Sequence, residues 1–277
     1  GEVRFDQRVD DIHFTKADDN SDNMQVTGLT LATGEVINTK HIALAIGHSA
    51  RDTFEMLHKK GVFIKAKPFS VGFRIEHEQS VIDDARFGDN AGNPILGAAD
   101  YKLVHHISPE DYDENGCTDN VLAGIEFQRR LEEAAFKLGG ENYDAPVQLV
   151  GDFLAGRKSG DHGTVSPSYK PGVKYCDLSE TLPAYAIEAI REALPAFERK
   201  IKGFSMADAT LTAVETRTSS PINITRDKDS LESVNTKGLY PAGEGAGYAG
   251  GILSAGIDGI KVAEAMALSM LKTSNKV

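Results

Sequence analysis

Gly238-Leu239-Tyr240-Pro241-Ala242-Gly243-Glu244-Gly245-Ala246-Gly247-Tyr248-Ala249-Gly250-Gly251-Ile252 is the stretch on which the reading of this chain turns. Leu239 to Ala242 is short, apolar and bounded by glycine, the pattern of a buried strand. From residue 252 to 271 apolar and small residues recur at helical spacing, with Ile252, Ala255, Gly259, Ala263, Met266 and Met270 on one stripe. The segment reads as strand, glycine-rich turn and helix, and the small residues of the stripe predict close packing on a sheet. Gly245, Gly247 and Gly250 formally spell GxGxxG, the dinucleotide fingerprint. That fingerprint needs a second strand after the helix, ending in an acidic residue about 20 positions on. Here the helix runs almost to the end of the sequence and Glu264 sits inside it, so this reading is rejected.

A different chemistry fits the same residues. Glycine lets backbone approach a flat ligand closely. The N–H groups of Gly250, Gly251 and Ile252 stand at a helix start, without intrahelical acceptors and at the positive end of the dipole. That terminus suits the negative charge that develops on the pyrimidine side of a reduced flavin. Glu244, just before it, is placed to accept hydrogen bonds from a sugar or ribityl chain. The alternative is a glycine-rich packing turn with no ligand.

Upstream, residues 3 to 46 read as a β-meander. Arg4 to Phe14 and Gln25 to Leu31 alternate, Asp18 to Asn23 is a polar turn cluster, and Thr33-Gly34-Glu35 marks a hairpin. His41 to Ile46 is apolar without alternation, as in a strand buried on both faces. It ends at Gly47. Ser49 is positioned to cap a helix from Ala50 to His58, which Gly61 stops. Val62 to Lys65 and Ser70 to Ile75 are strand-like, and Ser108 to Asp119 is acidic and loop-like. Leu122 to Leu138 is an amphipathic helix, and Asp152 to Tyr175 reads as irregular. Asp177 or Ser179 caps a second helix, with Leu182, Tyr185, Ala189 and Ala193 on its apolar face and Pro195 near its end. Met206 to Glu215 and Ile222 to Thr225 are strands.

Composition narrows the function. With 277 residues the chain holds one large or two modest domains. The net charge of −11, with no basic stretch, argues against nucleic acid and against an anionic membrane surface. No apolar run approaches the roughly 18 residues of a membrane helix. Cys117 and Cys176 form no CxxC, which fits two unpaired thiols in a reducing cytoplasm. The opening Gly1-Glu2-Val3-Arg4-Phe5 reads as mid-strand, so a fragment or trimmed chain is expected. Neither GxSxG nor GxxxxGK[ST] occurs, which disfavours a serine hydrolase and a P-loop nucleotidase.

Pro241-Ala242-Gly243-Glu244 followed by Gly250-Gly251-Ile252 and a small-residue helix resembles the C-terminal FAD motif of glutathione-reductase-like flavoproteins. Ala45 to Thr53, Lys67-Pro68-Phe69, Arg74 to His77, Gly97 to Leu103 and Glu215 to Pro221 together resemble a bacterial family of uncharacterised FAD-dependent dehydrogenases. The resemblance implies FAD as cofactor, with Glu244 on its ribityl or pyrophosphate part and Gly250, Gly251 and Ile252 at the isoalloxazine; Gly243 and Gly47 join the cofactor-binding set. It also implies a preceding region with the pyrophosphate-binding GxGxxG and a Cys-Met-Cys-Pro-Gly-Gly-like segment after His105-His106. Neither stands in this sequence, and both are expected to be removed or absent from it.

Other candidates follow with their plain alternatives. Arg217 alternates with Glu215 and Ser219 in an extended stretch and could face an anionic substrate or flavin, or sit in a structural ion pair. His48, at the tip of a parallel strand, could relay a proton or simply open a helix. Arg51 and Asp52 could serve the cofactor side or pair locally. Asp100, Tyr101 and Lys102 are placed in a substrate cavity by the resemblance alone. His105 and His106 are adjacent and point to opposite faces of a strand, so no metal site is assigned.

The fold is therefore expected to be α/β: a partial FAD-binding Rossmann-like domain with a β-meander, built from residues 1–61 and 207–277 and interrupted by an inserted α+β substrate-side domain at 62–206. The expected function is the C-terminal part of an FAD-dependent oxidoreductase, with NAD(P)H as a possible electron donor. The alternatives are a non-catalytic module that keeps the fold without cofactor, or a flavin electron carrier to a protein partner.

Overall fold

A computed structural model describes residues 1–17, 23–106 and 120–274. The polar turn at Asp18 to Asn23, apart from Asn23 itself, and the acidic stretch Ser108 to Asp119 with Cys117 lie outside the described residues. The chain divides into two compact units: residues 1–70, 118–126 and 217–277 form the first, and residues 71–117 and 127–216 form the second. The cuts differ from the expected 61 and 206, and 118–126 returns to the first unit. The reason is packing: Leu122 and Ile125 join the core of the first unit, where Ile125 is 1% exposed.

Among the described residues the first unit contains three small sheets. β1 (Val9–Lys16) and β2 (Met24–Leu31) are antiparallel with two register shifts. β3 (Val36–Asn38) joins β2 through the expected hairpin, turned at Gly34 with φ 85. β11 (Thr236–Lys237) adds to β2 in parallel. β5 (Ile64–Ala66) pairs with β10 (Ile222–Ile224), and β4 (Ile42–Leu44) pairs in parallel with β12 (Leu239–Pro241). Ile12, Val26, Leu44, Phe54, Leu57, Ile222 and Leu239 share one core. α1 (Arg51–Lys59) contributes Phe54 and Leu57 to it and ends as expected, with Gly61 at φ 83 donating to the His58 carbonyl.

Three expectations are corrected here. Ser49 does not cap α1; the N-cap residue is Ala50, without a side-chain bond. β4 is not buried on both faces: Leu44 is buried, while Ala43 and Ala45 are exposed. The last helix, α6 (Ile252–Ser274), turns a different face inward. Asp258 and Val262 are buried, with Ala255 and Met266 half-buried beside them, while Ile252 is 93% exposed. A Cβ on Gly256 or Gly259 would meet nothing within 4 Å, so these glycines do not mark close packing.

The second unit is a four-stranded sheet in the order β6 (Gly72–Glu76), β9 (Thr210–Glu215), β7 (Ala145–Leu149), β8 (Val173–Tyr175). Among the described residues its α-helices are α2 (Gln79–Phe87), absent from the sequence reading, then α3 (Ala123–Gly139) from Phe127 onward, α4 (Val150–Leu154) and α5 (Ala184–Glu198). α5 runs through Pro195, and it buries Ala186, Ile187, Leu194 and Ala196 while Tyr185 is exposed. The 3₁₀ turn before it is capped by Asp177, which accepts from the Ser179 N–H at 2.9 Å.

β4 and β12 run side by side in the same direction, so the loops that follow them leave one sheet edge together. Gly245 in the second loop lies against the Gly47 carbonyl of the first, where a Cβ would overlap that oxygen. Gly245→Ala is expected to cost about 1–3 kcal/mol as an overpacked substitution, read as a lower midpoint in urea unfolding.

Candidate functional site

The carboxyl ends of parallel strands are where ligand sites form in α/β proteins, and the loops after β4 and β12 bring several expected residues to one such end. Gly47 (φ 66) and Gly243 (φ 71) turn the chain out of the strands in the left-handed region that glycine tolerates. The residues next in line then meet. His48 Nδ1 lies 3.5 Å from Glu244 Oε1, with both side chains about three-quarters buried. Arg217 Nη1 donates to Ser49 Oγ at 3.5 Å. Gly47, His48, Arg217 and Glu244 thus stand around a single pair of loops.

The glycines divide their labour. Gly245 is closed by the Gly47 carbonyl, and a Cβ on Gly247 would sit 2.7 Å from the Ile222 carbonyl, so both serve close backbone packing. At Gly47 and Gly250 a Cβ would meet nothing within 4 Å, and at Gly251 only Ser254 Oγ at 4.0 Å. Backbone is therefore bare at Gly47, after β4, and at Gly250 and Gly251, directly before the first residue of α6. A flat ligand with an electron-rich edge can lie on such a cradle and receive N–H groups from the helix start. A flavin fits these residues.

The loop is held by a buried ion pair that sequence reasoning missed. Arg226 follows β10 and Asp258 stands on α6; their guanidinium and carboxylate meet in two hydrogen bonds of 2.5 and 3.0 Å, with side chains 8% and 10% exposed. Arg226 Nη1 also donates to the Pro241 carbonyl at 2.6 Å, and the Gly243 N–H donates to Asp258 Oδ2 at 2.8 Å. The Arg226 guanidinium lies 3.8 Å above the Tyr248 ring, whose hydroxyl accepts from the Arg226 N–H at 2.8 Å. Ser220 Oγ donates to the Gly245 carbonyl and Asn223 Nδ2 to the Ala246 carbonyl, at 3.1 and 3.0 Å. One signal for Asp258 existed: it is a lone acidic residue in the apolar first half of α6. Arg226 has no local signal.

Other expected residues stay apart from this cluster. Asp52 accepts from the Thr53 N–H at 2.9 Å, and Arg51 is buried. Tyr101 packs edge-on against Phe204 at 5.2 Å, in the core of the second unit. Asp100 and Lys102 beside it are exposed. His105 Nε2 lies 2.9 Å from Glu192 Oε1 on α5. Burial pushes the Cys176 thiol up to about 11, which keeps it protonated and unreactive.

A family model described as "FAD-dependent protein, C-terminal domain-like" matches residues 68–113 and 106–218. The chain belongs to this family. The matched stretch nearly coincides with the second unit, at 71–117 and 127–216, and stops short of the loop after β12. An uncharacterized protein of Clostridium beijerinckii is 41% identical over 315 residues, covering 95% of this chain and 57% of its own length. The chain thus spans little more than half the length of that relative. Among the described residues no helix is long and apolar enough to cross a membrane.

Removing one partner of a buried ion pair strands the other charge and costs about 3–5 kcal/mol. Asp258→Asn and Arg226→Met are each expected to lose stability on that scale, and Arg226→Met/Asp258→Leu to recover part of it, measured by chemical unfolding. The Arg226 guanidinium and then the Gly243 N–H hold the Asp258 carboxyl below its usual range. A carboxyl lowered in the folded state stabilises above the unfolded value of about 3.9 and loses that contribution as pH falls through its folded value. Below about pH 4 the native protein should therefore lose stability more steeply than Asp258→Asn does.

Proposed function

We propose that this chain is the C-terminal part of an FAD-dependent oxidoreductase of the glutathione-reductase-like kind, acting in the cytoplasm. In this reading the first unit is the remainder of a Rossmann-like FAD-binding domain. The second is an α+β domain inserted into it on the substrate side. The observation that carries the reading is the pair of loops after β4 and β12, with bare backbone at Gly47, Gly250 and Gly251. Membership of an FAD-dependent family supports the choice of ligand.

Bound FAD would supply the hydride or electron chemistry, and the protein the orientation and electrostatics. Gly250, Gly251 and Ile252 would hold the pyrimidine side through the N–H groups of the α6 start. Glu244 would accept hydrogen bonds from the ribityl chain. Gly47 would leave room for the ring, and Gly243, whose N–H is already given to Asp258, would fix the turn. His48, held beside Glu244, is the candidate for moving a proton. Arg217, beside Ser49, is the candidate for meeting an anionic substrate group. NAD(P)H is the proposed electron donor.

A visible absorption spectrum tests the cofactor. The intact protein, or this chain given FAD, is expected to show the flavin bands. A colourless protein that refuses added FAD would favour a non-catalytic module. Gly251→Val places a side chain on the bare backbone and should weaken FAD binding by at least about tenfold, or 1.4 kcal/mol. Unchanged affinity in a fluorescence titration would count against this placement.

A further inference from the structure

β4 and β12 form a parallel sheet whose two edges are unlike. Between the strands, the Ile42 N–H donates to the Gly238 carbonyl at 2.7 Å and the Ala242 N–H to the Leu44 carbonyl at 3.0 Å. Successive residues of a strand turn their backbone groups to opposite edges, so Ala43 turns its N–H and carbonyl away from β12. Ala43 and Ala45 are exposed, and among the described residues no strand pairs with that edge. The far edge of β12 is closed, because the Ser233 N–H donates to the Leu239 carbonyl at 2.7 Å. The sheet has one finished edge and one open edge.

Its faces are covered all the same. Leu44 and Leu239 pack with Phe54 and Leu57 of α1, and Tyr240 and Ala242 pack with Val262 of α6. A parallel sheet between helical layers is the α/β arrangement, and such sheets continue over several strands. α6 carries a second sign of the same kind. Opposite its buried Asp258 and Val262 it exposes Leu253, Ile257, Ile260 and Leu271, at 84, 57, 71 and 62%. Spacings of four, three and eleven residues keep these four on one helix face. A helix apolar on both sides is one that is buried on both sides, and a continuous exposed apolar patch marks an interaction surface.

The relative from Clostridium beijerinckii supplies a candidate cover. It matches 95% of this chain with only 57% of its own length, which leaves more than two-fifths of it outside the match. We propose that in the intact protein a further β-strand, from the part of the polypeptide outside these 277 residues, adds in parallel to the open edge of β4, and that an apolar segment joined to it covers Leu253, Ile257 and Ile260 of α6. The strand takes its register from main-chain bonds to Ala43, as in strand addition to a sheet edge. It is apolar on both faces, because helices lie on both sides of the sheet. The proposal rests on the reading above only in taking the chain as part of a longer protein; it does not require FAD.

Hydrogen exchange read by mass spectrometry, on the intact protein and on the 277-residue chain, tests the strand. The Ala43 amide is expected to exchange at least about 100-fold more slowly in the intact protein, as ladder amides do. Maleimide labelling of Ile260→Cys, read by peptide mapping, tests the helix face, and the thiol should react at least about tenfold more slowly in the intact protein. Ile257→Lys should leave the thermal midpoint of the chain within about 2 °C, since there it is a surface change, and lower that of the intact protein by about 5 °C or more. Equal exchange and labelling in the two proteins, protection that arises only as the chain pairs with a second copy, or an intact polypeptide with nothing outside these residues would overturn the proposal. An intact protein that protects Ala43 but refuses FAD would keep it and count against the flavin reading. A flavoprotein with Ala43 unprotected would do the reverse.

Discussion

The buried pair of Arg226 and Asp258 is the constraint on which the loop after β12 depends. It ties three pieces of the first unit at one point: the segment after β10, the end of β12 through the Pro241 carbonyl, and the first half of α6. Two charges removed from water are tolerable only when both are fully used in hydrogen bonds. Here the carboxylate takes the guanidinium and the Gly243 N–H, and the guanidinium takes the carboxylate, a carbonyl and the Tyr248 face. The turn that begins at Gly243 is therefore fixed at its root, while its far end, at Gly250 and Gly251, stays bare.

That arrangement explains why so many glycines are needed in one loop. Gly245 and Gly247 let the loop lie on the backbone of Gly47 and Ile222, where no side chain has room. Gly250 and Gly251 do the opposite and leave open space in front of the helix start. A rigid root with an open tip is what a ligand cradle requires, since preorganised donors lose little freedom on binding. The same logic places His48 beside Glu244, because two parallel strands of equal depth deliver their following residues to the same level.

The second unit is organised differently. Its sheet gives one face to a core that includes Phe153, Leu178, Ile187 and Leu211. It is the unit that the family model covers, whereas the glycine-rich loop after β12 lies beyond the matched residues.

Local pattern alone made the strand–turn–helix at 239–274 legible, because glycine clusters and helical periodicity act over a few residues. The same held for α1 with its Gly61 stop and the Thr33-Gly34-Glu35 hairpin, while of the residues singled out as candidates His48 and Glu244 meet at 3.5 Å. What needed the tertiary structure was any feature joining distant segments. The inward face of α6 was misread because its apolar stripe carries no record of which side meets the sheet, and a buried Asp258 decided it through Arg226. Ser49 stands one residue before the N-cap Ala50, and its hydroxyl accepts instead from Arg217, far away in sequence, at 3.5 Å. The unit boundaries fell where Leu122 and Ile125 pack rather than where composition changes. Hydrophobic spacing reports that a residue is buried; only the fold decides against what, since the partners of a buried charge or a bare backbone are brought together by chain topology.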